Sequence, residues 1–233
     1  MQNRINDQAA FILHRRDYQD SSLILDLLTE NFGRLSVLVK GARKRRDAAN
    51  FQICNRLSVG WSGQSELKTL TQVESHTLSV SKDNIPAVFY INELLLYFLP
   101  KHQEHQRLFH LYQTLLIELS HTDSVLEAEL RNFEIELLSE LGYMPDLSID
   151  TTTDQKINAN NSYVVHAMSG VELNNIADKT TFTGAELLAI HNRQFDITEV
   201  LRVAKRLMRQ IIDYNLQGRT LQSRKFYQQM HKK

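Results

Sequence analysis

Leu23-Ile24-Leu25-Asp26-Leu27-Leu28, the turn-forming Asn31-Phe32-Gly33, and then Leu35, Val37 and Val39 at alternate positions make up residues 23–39, the stretch that decides the class of fold. Apolar residues two apart place one face of an extended chain against a core. Upstream, Phe11-Ile12-Leu13 reads the same way. Downstream, Leu57-Ser58-Val59-Gly60-Trp61, Leu67-Lys68-Thr69-Leu70 and Val73 to His76 continue the pattern, separated by turn signals at Gly41 and Ser62-Gly63-Gln64. Four of the eight glycines, Gly33, Gly41, Gly60 and Gly63, precede residue 65, as tight turns in a sheet require. About five short strands in one small region suit a closed barrel of the OB type.

From Pro86 onward the period changes. Pro86 suits a helix start, and Pro100 ends the apolar run that follows. Leu108, Leu111, Tyr112, Leu115, Leu116 and Leu119 share one helical side; Leu126, Leu130, Phe133, Leu137 and Leu141 share another, closed by Gly142, with Asp123 or Ser124 as a cap. Residues 148–181 are polar and read as a loop or a small excursion on the helical part, with a strand at Tyr163-Val164-Val165. A short helix is expected at Thr183 to His191, and Ser223 to Met230 closes the chain. Between them an amphipathic helix runs from Thr198 to Tyr214, burying Val200, Ala204, Leu207, Met208 and Ile211. The expected class is α+β: an N-terminal OB-fold β-barrel over residues 1–80, then an all-helical C-terminal domain over 81–233 with a polar, cysteine-free insertion at about 146–181.

With 42% hydrophobic and 23% charged residues, the chain of 233 residues has enough apolar content to exclude disorder. Lys+Arg and Asp+Glu are both 27, giving zero net charge, but the cations cluster. Arg34, Lys40, Arg43, Lys44, Arg45 and Arg46 follow one another with no acid between, and Arg202 to Lys233 holds nine cations against Asp213. A local positive potential attracts a polyanion even when the sum is zero. The single cysteine, Cys54, excludes an intrachain disulfide and a cysteine-based zinc site. The first residues carry no secretory pattern, and Ile91 to Leu99 is about half the roughly 20 residues that span a bilayer. A cytoplasmic location is expected.

The strongest local motif is Lys40-Gly41-Ala42-Arg43-Lys44-Arg45-Arg46, a basic loop after a strand. Such a loop tracks phosphates without reading sequence. With Arg15, Arg16 and Arg34 it forms the expected DNA-binding set; the plainer alternative is a solvated basic loop. Single-strand binders also stack bases on aromatic rings. Tyr18 and Phe32 are loop candidates, Trp61 is either core or platform, Phe51 is available, and Phe11 reads as core. Arg202, Lys205, Arg206 and Arg209 form a stripe suited to DNA or an acidic peptide, or simply the charged face of a surface helix. Arg131 lies between Glu127 and Glu134, the spacing of a surface ion pair. His102 and His105 lack a third metal ligand. No phosphate-binding loop, dinucleotide glycine pattern, zinc-protease helix or nucleophile elbow occurs, so no catalytic residue, no metal and no cofactor is expected.

Ala10-Phe11-Ile12-Leu13-His14, Ser21-Ser22-Leu23-Ile24-Leu25, Leu28-Thr29-Glu30, Gly33-Arg34 and Val39-Lys40-Gly41-Ala42-Arg43, in that order, resemble the start of the RecO family of DNA repair proteins. Tyr90-Ile91-Asn92-Glu93-Leu94-Leu95, Leu130-Arg131-Asn132-Phe133-Glu134, Leu141-Gly142-Tyr143, Lys205-Arg206 and Leu221-Gln222-Ser223-Arg224 extend the resemblance along nearly the whole chain. The resemblance implies an OB barrel on a helical domain and binding of single- and double-stranded DNA. It implies annealing of complementary strands and, with RecR, help in loading RecA onto DNA coated by single-stranded-DNA-binding protein. It also implies contact with that protein's acidic C-terminal tail, for which Arg131, Lys205, Arg206 and Arg209 are the candidates. Some members carry a four-cysteine zinc site after the central helix; residues 146–181 hold no cysteine, so the zinc-free branch is the match. The alternatives are a protein-interaction adaptor that binds DNA weakly, or a nuclease, for which no metal-carboxylate constellation is visible.

Overall fold

The computed structural model describes residues 4–44, 48–76, 78–121, 126–174 and 180–230. Its chain divides into two compact units. One comprises Met1–Val125 with Leu221–Lys233, and the other Leu126–Thr220.

The first unit begins with the expected barrel. Strands β1 (Arg4–Tyr18), β2 (Ser22–Thr29), β3 (Gly33–Val39), β4 (Arg56–Ser62) and β5 (Leu67–His76) close in the order β1-β2-β3-β5-β4. Every pairing is antiparallel except β3 with β5. The two stretches read separately at Leu67–Leu70 and Val73–His76 are one strand. β1 is long enough to pair β4 with its first half and β2 with its second, which lets five strands close. Inward residues Ala10, Ile12, Leu23, Leu25, Leu27, Leu35, Val37, Leu57, Val59 and Trp61 fill the interior, plugged by Phe51. The alternation that defined the strands thus defines the core.

A second apolar layer forms on the outside of β1. Helices α1 (Ile85–Phe98) and α2 (Gln106–His121) follow the barrel. Phe11, facing outward, is fully buried against the rings of Phe109 and Tyr112. Asn92 of α1 donates to the Leu13 carbonyl at 3.0 Å and accepts from the Tyr112 hydroxyl at 2.6 Å, so the polar groups entering this layer are paired. Burial first of all raises the Tyr112 hydroxyl well above its ordinary pKa. The closing helix α6 (Gln222–Met230) returns to α1. There the Glu93 carboxylate accepts from the Gln222 and Ser223 backbone N–H groups at 2.8 and 2.9 Å and from the Ser223 hydroxyl at 2.6 Å. A carboxylate at a helix N-terminus satisfies otherwise unpaired donors and complements the dipole.

The second unit holds α3 (Glu127–Glu140), α4 (Gly184–His191) and α5 (Thr198–Asn215), with a five-stranded sheet between α3 and α4 in sequence. Its strands are β6 (Ile149–Asp150), β7 (Gln155–Lys156), β8 (Ser162–His166), β9 (Gly170–Leu173) and β10 (Phe182–Thr183), ordered β10-β8-β9-β6-β7. This corrects the reading of 148–181 as a loop and of the region after the barrel as wholly helical. Four of the five strands have two to four residues, too short to show a period, and only Tyr163–Val165 of β8 was legible. Tyr163, Val165, Val171 and Phe182 are nonetheless buried. A capping box between Thr183 and Glu186 starts α4. α5 buries the expected Val200, Ala204, Leu207, Met208 and Ile211, together with Val203 and Ile212. The caps expected at Asp123 or Ser124 lie outside the described residues.

Candidate nucleic-acid interface

At one end of the barrel β3 runs into the basic loop. Gly41 takes a left-handed φ of +66°, and a short 3-10 turn, Ala42–Lys44, follows. Ala42 is buried in the barrel core, and the Arg43 backbone N–H donates to the Ser21 carbonyl at 2.9 Å. The start of the loop is therefore anchored while its side chains face solvent: Lys40, Arg43 and Lys44 are exposed. Arg43 pairs with Asp17 at 2.8 Å and donates to the Gln19 carbonyl at 2.7 Å. Lys40, Lys44 and Arg16 make no ion pair closer than 4 Å among the described residues. Arg15, also exposed, donates to the Phe51 carbonyl at 3.1 Å. Arg45 and Arg46 lie outside the described residues.

Asp26, on the outer face of β2, is part of the same electrostatic neighbourhood. Desolvation pushes its carboxyl up. Hydrogen bonds from His14 and Ser36, and the Arg16 charge, outweigh this and hold the carboxyl below its usual range.

Arg34 is not brought to this group. It is the second residue of β3, roughly 20 Å from Lys40 at about 3.3 Å per residue. It is half-buried, and its guanidinium donates to the Leu99 carbonyl at 3.0 Å, while its carbonyl accepts from the His102 N–H at 2.9 Å. Desolvation lowers its pKa, offset in part by Asp26. Its evident task is to tie the barrel to the segment after α1.

The stripe on α5 is not a bare cationic surface. Arg202 pairs with Glu199 at 2.5 Å, Lys205 with Glu127 of α3 at 2.9 Å and Arg209 with Asp213 at 3.6 Å. Arg206 donates to the Thr181 carbonyl at 2.9 Å and lies 3.9 Å from the centre of the Phe182 ring. Arg131 is 5% exposed and bonded to the equally buried Glu134 at 2.6 Å. The surface ion pair anticipated for Arg131 is therefore a buried one, and Glu127 serves Lys205 instead. The Arg131 Nε has no hydrogen-bond partner.

Among the aromatic candidates, Phe51 and Phe11 are fully buried and Trp61 is nearly so. Tyr18 and Phe32 remain more than a third exposed. Cys54 is buried, and burial pushes its thiol pKa up to about 12, leaving it unreactive at neutral pH. No group of three His, Cys, Asp or Glu side chains among the described residues is arranged to hold a metal ion. No described helix is long and apolar enough to cross a membrane.

Comparison with known proteins decides the family. The model for the recombination protein O N-terminal region matches residues 1–78, and that for its C-terminal region matches residues 83–225. The chain belongs to the RecO family. It is 38% identical over 228 residues to the DNA repair protein RecO of Pasteurella multocida (96% of this chain, 95% of that protein). Identity is also 38% over 223 residues with RecO of Methylococcus capsulatus (94% and 91%) and over 228 residues with RecO of Yersinia pestis (95% and 94%). RecO membership carries a role in DNA repair and recombination, in a family of mediators not known as enzymes.

The RecO N-terminal match coincides with the barrel, and the C-terminal match crosses both compact units. What the sequence concealed was the acids that meet its cations. Asp17 precedes Arg43 by 26 residues and Glu127 precedes Lys205 by 78, separations at which no pattern announces contact.

Proposed function

We propose that this chain binds single- and double-stranded DNA with little sequence preference and anneals complementary single strands. With RecR it helps load RecA onto DNA coated by single-stranded-DNA-binding protein. The observation that carries this reading is the cationic end of a closed OB barrel, in a chain that matches the recombination protein O family along its length. Lys40, Lys44 and Arg16 lie there exposed, beside Arg15 and Arg43. Annealing requires no bond to be made by the protein. Cations lower the repulsion between two strands, and a tethered partner raises the local concentration.

Arg131, Lys205, Arg206 and Arg209 are the proposed contacts for the acidic tail of single-stranded-DNA-binding protein. The exposed Lys205 and Arg209 support this assignment, and the buried Arg131 joins them only when its pair with Glu134 opens. Loss of tail-peptide affinity in Arg131→Lys, with unchanged DNA affinity, is the expected signature. A nucleoid-associated, cytoplasmic location during repair belongs to the same reading.

One observation favours a second reading, an adaptor that touches DNA weakly: Arg43, Arg202, Lys205 and Arg209 already have carboxylate partners. Annealing of complementary strands coated with the cognate single-stranded-DNA-binding protein separates the two. The mediator accelerates annealing at physiological salt; the adaptor leaves the rate unchanged.

A further inference from the structure

At the other end of the barrel the β2–β3 turn presents an aromatic ring on a rigid mount. The buried Thr29 hydroxyl accepts from the Phe32 N–H at 3.2 Å and donates to the Gly33 carbonyl at 2.7 Å. Gly33 has a φ of +62°, and a Cβ there would overlap the backbone of Gln103, so no other residue fits. Asn31 is held from both sides, donating to the Gln8 side chain at 3.0 Å and accepting from Gln106 at 2.9 Å. The ring of Phe32 stands edge-on to Trp61, with centroids 5.2 Å apart and planes at 88°, yet it is 36% exposed. An exposed aromatic residue that is already ordered loses little entropy when something stacks on it.

Beside this ring lies a cleft of about 350 Å³, whose walls include Phe32, Trp61, Leu35, Lys68, His102 and Glu104. Lys68 makes no ion pair among the described residues; its amino group meets only the Gln64 carbonyl, at 3.4 Å. Glu104 repels phosphate, which leaves the Lys68 side for an anion and the Phe32 side for an apolar plane. Phe32 precedes β3 and Lys40 follows it, roughly 20 Å apart along the strand, and Lys68 pairs with Val37 between them. That span suits the short end of the 4–16 nucleotides or so that an OB fold covers.

We propose that this cleft is a single-base pocket. One unpaired nucleobase of a DNA strand stacks on Phe32 while Lys68 holds an adjacent phosphate. A base inside a duplex cannot enter, so the pocket distinguishes single from double strands, which the basic loop alone does not do. This inference rests on the DNA-binding reading above and adds the element that recognises the unpaired state.

Trp61 is the only tryptophan in the chain, so its emission reports on the pocket directly. The full-length protein is titrated with a labelled oligothymidylate of about 15 nucleotides and with an abasic deoxyribose-phosphate oligomer of the same length. Anisotropy records binding and Trp61 emission records occupancy. Emission is expected to change with oligothymidylate, at the anisotropy midpoint, and not with the abasic strand. Phe32→Leu keeps apolar cover over Trp61 but offers no π face. It is expected to weaken oligothymidylate binding by about 5- to 150-fold while leaving abasic and duplex binding as they were. Tight oligothymidylate binding with unchanged emission, or unchanged affinity in Phe32→Leu, overturns the pocket and leaves DNA binding standing. Absence of any anisotropy change overturns the DNA-binding reading itself.

Discussion

The guanidinium of Arg43 lies 2.8 Å from the carboxylate of Asp17, so a principal cation of the basic loop rests against an acid of the strand beside it. Both side chains are substantially exposed, and an exposed pair of this kind contributes about 0–1 kcal/mol. A phosphate can therefore replace Asp17 at little cost. The pair holds the loop's cation in place without consuming it.

Asp17→Asn should free Arg43 and remove one repulsive charge. Single-strand affinity is expected to rise at low salt, with the slope of log affinity against log salt steeper by up to about 0.7. Stability should move by no more than about 1 kcal/mol. Charge reversal of Arg43, Lys44 and Arg45 together should flatten the same slope. Anisotropy across a salt series measures both effects, and an identical slope in all three proteins would make the loop bystander surface.

The buried Arg131–Glu134 pair makes a prediction about stability. Glu134→Ala leaves a desolvated guanidinium without its carboxylate and should cost about 3–5 kcal/mol in urea unfolding. Replacing both residues with leucine should cost far less than the single change, because no charge is then left buried. Equal losses in the single and double variants would place the contribution in packing.

Acid should weaken the barrel partly through Asp26. Its carboxyl is a stronger acid folded than unfolded, so the unfolded chain takes up the proton first as pH falls. The stabilisation is complete above the ordinary aspartate range near pH 4 and is lost as pH drops through the lower folded value. Asp26→Asn has no carboxyl to titrate, so the gap in stability between wild type and variant should narrow from pH 6 to pH 3. A constant gap would show that Asp26 has the same acidity in both states.

Glu93 should anchor the C-terminal helix. Three donors at the start of α6 converge on its carboxylate, so Glu93→Ala is expected to loosen α6 by about 1–2 kcal/mol. Limited proteolysis or hydrogen exchange of residues 222–230 should report this with the barrel amides unchanged. Uniform loss of protection would mean that α6 and the barrel open together.

The barrel was legible in the sequence because strand periodicity is local. Leu23, Leu25 and Leu27, then Leu35 and Val37, alternate over consecutive residues, and the residues that alternate are those that fill the interior. The helical faces of α2 and α5 were legible for the same reason, at the helical period. The sheet of the second unit was not, because strands of two to four residues are too short to carry a period and are specified by their neighbours across the sheet.

The sequence by itself determined the α+β class, the OB-type barrel, the family and the positions of the basic clusters. Tertiary structure alone decided what each cation meets. It set Asp17 against Arg43, Glu127 against Lys205 and Glu134 against Arg131, moved Arg34 away from the loop, and brought Phe32, Trp61, Lys68 and His102 to one cleft. The physical reason is range. Periodicity is written in neighbouring residues, whereas the field at a surface sums charges that folding brings together from distant parts of the chain.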